Sequence, residues 1–584
     1  MSVYYVRPDG KDTINYMGSK ERPFRTISYA AEVMKPGDVC YIGGGVYRET
    51  VRPARSGEQG APIVFRAAPG ERVIVEGCDP VTGFERWKGD IWRAPAPASL
   101  GLGRDFVTIN GEAVVQARYP NFHEKGREYD VPVSPFYPTR GQMRTIRGEY
   151  AVVSPLLEGF AENYWKGALY CGLHEWHWTM QSGVVESSVS GRLNIGGKRN
   201  RPWYNVEIDF YDLFRECQSG FLTNHLGCMT YPGCWHLEDG YLYVWMPDGS
   251  DPNGAEIGLK RRQLGFDLTE RDWIRVEDID LHVCSATLYK ANWCVFDRCR
   301  MTYISHAQFV EVPVAGYISE KEDLARRGEF GLYFGGTHND LLNSTIAHSA
   351  GAGVFLAGAY STVRNNVIHD CAYSGTYAGN VNMRPEIGSD FDGPRGGHTI
   401  THNTLYNAGR SVINISQGEV PGTPCEGFWH RTPYLASEIA YNRAYNAGLC
   451  SQDGGNFYCY QVNLNDTRIH HNLFYDNWTE YWGSLIFYDG VVANVYADHN
   501  VLWQSPHEVL FSQEPALQAQ LLEKRHPPTN NNTRFFANAK RPLFCTGGIG
   551  ALTLKDYPDG VFFESGADHD DDLNPVPPQK LADA

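Results

Sequence analysis

One short phrase recurs through the middle of the chain and constrains its fold more than any other feature. It reads Asn343-Ser-Thr-Ile346-Ala347-His348, then Asn366-Val-Ile-His369-Asp370, Asn403-Thr-Leu-Tyr406-Asn407, Asn442-Arg-Ala-Tyr445-Asn446, Asn472-Leu-Phe-Tyr475-Asp476 and Asn500-Val-Leu-Trp503-Gln504. An Asn, an apolar pair, an aromatic or His and then a polar residue return at intervals of 23, 37, 39, 30 and 28 residues. Self-similarity on this scale marks a solenoid. The shortest interval suits one coil of a right-handed parallel β-helix, and the longer ones are coils carrying loops.

A second apolar run follows each phrase: Gly353–Leu356, Thr376–Ala378, Val412–Ile415, Asn456–Cys459, Leu485–Tyr488 and Val509–Phe511. These runs read as strands of one parallel sheet stacked coil upon coil. Three acids attach to the last three runs. Asp453 opens its strand, Asp489 ends the next, and Glu514 follows the third. Adjacent coils stack about 4.8 Å apart, so equivalent acids on neighbouring coils lie roughly 5 Å apart. A retaining glycosidase needs its two carboxyl groups about 5–5.5 Å apart, and an inverting one about 6.5–9.5 Å. Asp489 and Glu514 therefore make retention the geometric default. Like charges this close also push one pKa upward, which supplies a proton donor beside an ionised partner. The plainer alternative is that Asp489-Gly490 is an ordinary turn dipeptide. Three acids on consecutive coils, framed by Tyr458, Tyr460, Trp482, Tyr488 and Trp503, favour a site.

The polar residues of the phrase itself have another explanation. Asn366, Asn403, Asn442, Asn472 and Asn500 recur at a turn, where stacked amides form a structural ladder. His369 and His471 belong to the same pattern and are not candidates for catalysis.

Before the repeats, Thr26 is a plausible N-cap for a helix over Ile27–Met34, ended by Pro36-Gly37. Such a helix would cover the open end of the solenoid. Strands follow at short spacing, including Ile63–Arg66 and Val73–Glu76. From about Phe84 to Lys260 short alternating strands and hairpin signals (Asn110-Gly111, Asp239-Gly240) indicate an inserted antiparallel β-sandwich. Trp87, Trp92, Trp165, Trp176, Trp178, Trp203, Trp235 and Trp245 all fall within it and read as core rather than sugar platforms. The expected organisation is a cap with first coils over 1–83, the insert over 84–260, the main β-helix over 261–514, and a final helix, strands and acidic tail over 515–584. Two long loops, 381–397 and 417–436, leave strand ends on the acid-bearing side. Asn380, Gln417, Glu419, Trp429 and His430 are accordingly candidates to line the cleft, with Tyr458, Tyr460, Trp482 and Tyr488.

Composition narrows the ligand. A formal charge of −16 argues against nucleic acid and against an acidic polymer. No run reaches the apolar length of a membrane span. The fourteen cysteines are scattered without a C-x-x-C pair, as free thiols of a reduced protein are, so a cytoplasmic setting is expected. A homo-oligomer is allowed for, although no interface signature marks one.

Leu485-Ile-Phe-Tyr-Asp489, followed one coil later by Val509-Leu-Phe-Ser-Gln-Glu514, resembles the catalytic segment of glycoside hydrolase family 120 β-xylosidases. The resemblance implies a parallel β-helix combined with a β-sandwich, Asp489 as nucleophile, Glu514 as acid/base, and Asp453 contacting substrate. Asp453-Gly-Gly-x-x-Tyr with Tyr488-Asp489 is also similar to family 141, which includes α-L-fucosidases and xylanases, and there the two Asp would form the catalytic pair. Which of Glu514 and Asp453 is the acid/base thus stays open. The expected function is a retaining glycosidase acting on a neutral, xyloside- or fucoside-like glycoside without a cofactor. One alternative is a polysaccharide lyase or epimerase acting on a uronate, for which three nearby acids could hold Ca²⁺. A non-catalytic carbohydrate-binding solenoid is the other, since parallel β-helices host all three.

Overall fold

Three parallel sheets enclose one apolar interior, and the chain visits them in turn on every coil. The computed structural model describes residues 1–120 except 14 and 102, then 144–145, 151–173, 180–195, 219–305, 328, 330–373, 379–383, 394–416, 434–449, 454–479, 483–503 and 508–513, with three short strands within 529–546. One coil runs through Ser285–Tyr289, Val295–Asp297 and Arg300–Thr302, and the next through Leu332–Gly335, Asp340–Leu342 and Thr345–Ser349. We call these faces the first, second and third sheets. Each strand pairs in parallel with its counterpart one coil on, as Thr287 with Tyr333, Phe296 with Leu341 and Met301 with Ile346. The first and second sheets join where two long strands, Gly454–His470 and Gly483–Asp498, bend from one face to the next. This is the expected parallel β-helix.

Alternate side chains along each strand turn inward. Phe457, Cys459 and Ile486 of the first sheet, Ile439 and Ile469 of the second, and Ile368, Leu405 and Phe474 of the third share one buried cluster. Helix Ile27–Val33 adds Ile27, Ala30 and Ala31 to its N-terminal end, and Thr26 Oγ1 accepts the Tyr29 N–H at 3.2 Å as its cap. The strand described on this coil of the first sheet is Gly379–Met383, and the expected Thr376–Ala378 lies outside the described residues.

The turn from the second sheet to the third explains the repeating phrase. Its leading residue (Asn343, Asn365, His402, Tyr441, His471, His499) takes a left-handed φ of 49–59°. The next residue is buried: Ser344, Asn366, Asn403, Asn442, Asn472, Asn500. Each of these Asn Oδ1 atoms accepts the backbone N–H of the preceding coil's counterpart at 2.8–3.0 Å. Each Nδ2 donates to a carbonyl of the second sheet, from Leu341 along to Ile469, at 2.8–2.9 Å. Buried amides left unpaired cost about 1–3 kcal/mol each, so the ladder stabilises every coil it crosses. Its first rung is Ser344 rather than Asn343, which stands one place earlier in the turn. His369 is structural as well: it begins a stack with Tyr406, Tyr445 and Tyr475 on the third sheet, with centroids 4.7–5.0 Å apart. His471 stacks between Tyr441 and His499.

Strands between Cys78 and Lys260 form two further sheets, antiparallel apart from the pairing of Val115 with Cys234. Asn110-Gly111 and Asp239-Gly240 close hairpins, all four residues at positive φ as tight two-residue turns require. Ile91, Cys234 and Tyr243 of one sheet share a buried cluster with Val152, Tyr170 and Leu222 of the other. Trp165 and Trp235 are fully buried core residues. Cys78, Phe106 and Val115 dock the insert on Val283, Tyr303 and Tyr373, at the turn from the third sheet to the first.

Candidate active site

Because Phe457, Cys459, Ile486 and Tyr488 face the core, Tyr458, Phe487 and Asp489 face outward from the first sheet. They are nonetheless enclosed: Tyr458 and Phe487 are fully buried and Asp489 is 5% exposed. A carboxylate at that burial needs hydrogen-bond partners. Tyr458 Oη supplies one, donating to Asp489 Oδ2 at 2.5 Å, within the short range of charge-assisted O–H···O⁻ bonds. The fully buried Arg410 holds its guanidinium over the Tyr458 ring, 4.9 Å from the centroid. Gly454 makes room for it, since a Cβ there would stand 3.1 Å from Arg410 Cγ. Along the same outward row, Asn382, Asn414 and Tyr458 are in register on successive coils. Asn414 Nδ2 donates to Asn382 Oδ1 at 2.6 Å. The Asp489 charge is felt beneath the strand, where burial first and this carboxylate second push the Cys459 thiol well above its usual range.

The structure thus brings together Asp489 and Tyr458 of the expected site. Tyr460 pairs with Asp489 through the backbone. Two expectations are corrected. Tyr488 is not a substrate contact: strand alternation sends it into the core, edge-on to Phe457 at 6.4 Å. Asn380 is also fully buried, and its Nδ2 donates to the Ile368 and Tyr406 carbonyls of the third sheet, which makes it an internal corner brace. Asn456 repeats that brace on the Ala444 and Tyr475 carbonyls. Asp453, Glu514, Trp482, Gln417, Glu419, Trp429 and His430 lie outside the described residues. The described chain resumes at Gly454, directly after Asp453. It stops at Gln513, directly before Glu514 and one residue past Ser512, which pairs with Tyr488.

Sequence reasoning missed Arg410, Asn382 and Asn414. Arg410 directly precedes strand Ser411–Ser416 in Gly409-Arg410-Ser411, outside the repeating phrase and the apolar run that follows it. Among the described residues no group of three or more His, Cys, Asp or Glu is placed to hold a metal ion. No described helix is long and apolar enough to cross a membrane.

No protein-family model matches the chain. A solved structure described as a glycoside hydrolase superposes with a TM-score of 0.62 at 13% identity, covering 96% of this chain and 99% of that one. A xylose complex of XylC gives 0.49 at 15% identity, over 94% of this chain and 76% of the other. Among curated proteins, the uncharacterized protein YwoF of Bacillus subtilis (strain 168) is 41% identical over 73 residues, which is 12% of this chain and 15% of that protein. Pectate lyase PEL9 of Emericella nidulans is 37% identical over 75 residues, 12% of this chain and 18% of that protein. The chain therefore matches less than a fifth of the length of these relatives. At 13% identity, the likeness to the glycoside hydrolase structure is one of fold.

Proposed function

We propose that the chain is a glycoside hydrolase that cleaves a neutral glycoside or short oligosaccharide with retention. Asp489 attacks the anomeric carbon as the glycosidic C–O bond breaks, and Glu514 gives its proton to the leaving oxygen. Glu514 then takes a proton from the water that releases the sugar from Asp489, while Asp453 holds sugar hydroxyls. The observation that carries the proposal is Asp489 itself, an enclosed carboxylate on the outward face whose Oδ2 accepts the Tyr458 hydroxyl. The fold likeness to a glycoside hydrolase supports it.

The test is hydrolysis of aryl xyloside, fucoside, galactoside, glucoside and arabinoside by wild type, Asp489→Asn and Glu514→Gln. Loss of activity in Asp489→Asn, with azide rescue of Glu514→Gln, is the expected result. Arg410 favours one second reading, a uronate lyase or epimerase, because it is a buried cation beside Asp489's hydrogen-bond partner. A flat glycoside panel, with a new C4–C5 double bond absorbing in the ultraviolet on uronate polymers, would replace the hydrolase by the lyase.

A further inference from the structure

A cavity of about 340 Å³ lies between the insert and the first coils of the third sheet. That volume falls in the range of small-molecule sites, about 300–1,000 Å³. The cavity shares no residue with the Asp489 site. Its floor is Asp280, His282, Arg300 and Thr302, which alternate with core-facing Leu281 and Met301. Its roof is the hairpin turn from Asn110 to Glu112. We propose that this slot is a second, non-catalytic binding site for a neutral saccharide.

One wall of the slot is made of rings. In register along this face stand Glu76, His282 and Thr302. Beside them Tyr303 packs edge-on to His282 at 5.7 Å and stacks on His348 at 5.2 Å, and all three rings line the cavity. Thr302 is the small side chain of the floor, which leaves room for a sugar against this aromatic wall.

The lining charges largely satisfy one another. Arg72 pairs with Asp280 at 2.9 Å, Arg48 with Glu256 at 3.2 Å, and Asp79 with Arg262 at 2.7 Å. Tyr303 Oη donates to Glu112 at 3.1 Å. His282 Nδ1 lies 2.7 Å from Glu76 Oε2 and its Nε2 lies 2.9 Å from the Gly111 carbonyl oxygen, so both nitrogens face acceptors and the hairpin is pinned to the solenoid. Walls of this kind present fixed donors and acceptors with little net charge to an entering hydroxyl. The lining holds five carboxylates against three arginines, so its small net charge is negative and does not favour an anion. Arg300 makes no ion pair among the described residues and stands on the floor as a donor for ring or hydroxyl oxygens.

The proposal shares with the hydrolase reading only the class of ligand. Calorimetric titration of the full-length Asp489→Asn protein with xylotriose and cellotriose tests it. Two binding events are expected with at least one of these probes. Thr302→Trp, which fills the floor of the cavity, and Arg300→Ala should each weaken one event at least ten-fold. In the otherwise wild-type protein the same two substitutions should leave aryl glycoside hydrolysis unchanged. Binding that is indifferent to both substitutions, whether one event or two, overturns the second site. Binding sensitive to Thr302→Trp in a protein that hydrolyses no glycoside would keep the slot and remove the hydrolase.

Discussion

Tyr458→Phe removes one hydroxyl and leaves the ring beneath Arg410 in place, so it isolates the bond to Asp489. A hydrogen bond to a charged acceptor contributes about 1.5–3 kcal/mol. The phenol donates to the ionised carboxylate, so the bond favours the charged form, and its loss raises the carboxyl pKa. Asp489 is almost wholly enclosed, so solvent screens little of that bond. The acidic limb of kcat/KM reports the free enzyme's essential carboxylate. It should therefore move to higher pH in Tyr458→Phe, while the rate well above the limb stays within a few-fold of wild type. The assay is kcat/KM against pH on whichever aryl glycoside wild type cleaves. An acidic limb that stays put would refute the reasoning, because Asp489 would then not be the ionising group that governs the reaction.

Asn442→Ala removes hydrogen bonds to Asn403 N–H, Asn403 Nδ2, the Ile400 carbonyl and Asn472 Oδ1, all within 3.0 Å. It should cost about 4 kcal/mol or more in denaturant unfolding, and a cost below about 1 kcal/mol would show that the ladder does not tie the coils. Burial raises the Asp476 carboxyl to about 6. Its folded pKa thus lies above the unfolded one, so its contribution is most favourable at low pH and is lost as pH rises through 6. Asp476→Asn should gain about 1 kcal/mol at pH 8, discounted for partial exposure, and nothing at pH 4; equal effects at both would remove the explanation. Burial also pushes the His398 imidazole down to about 3, and its Nδ1 accepts the Ser361 N–H at 3.2 Å. The unfolded histidine binds its proton first as pH falls, so stability should drop by up to about 1.4 kcal/mol per unit between roughly pH 6 and 4. His398→Asn should flatten that slope, and an unchanged slope would assign the acid sensitivity elsewhere.

The repeats were legible because a solenoid prints its geometry once per coil. The Asn ladder from Asn366 to Asn500, the Thr26 cap and both insert hairpins follow directly from local residue chemistry. Parity was harder to read. Leu485-Ile-Phe-Tyr is apolar throughout, so nothing in it shows that Tyr488 faces the core while Phe487 and Asp489 face out. Asn380 misleads for a related reason: at a corner between sheets an amide can brace strand ends from inside, and its sequence neighbours do not reveal the corner. The slot under the hairpin joins residues as distant as Arg48 and Glu256, a pairing that only docking of the insert creates.

The same periodicity offers a way to separate structure from function in this chain. A polar residue that recurs at one register position on every coil is accounted for by contacts between coils. The ladder asparagines engage their amides within the solenoid, and the rings from His369 to Tyr475 cover one another's faces. Coil-to-coil packing explains them without a ligand. Asp489, with Tyr458 and Arg410 behind it, departs from this rule. Its register partner on the preceding coil is Tyr460, and the carboxylate is enclosed on an outward face where solvation would have cost nothing. A buried charge without a periodic reason reduces stability unless something else uses it. A saccharide bound at the reacting bond would supply that use.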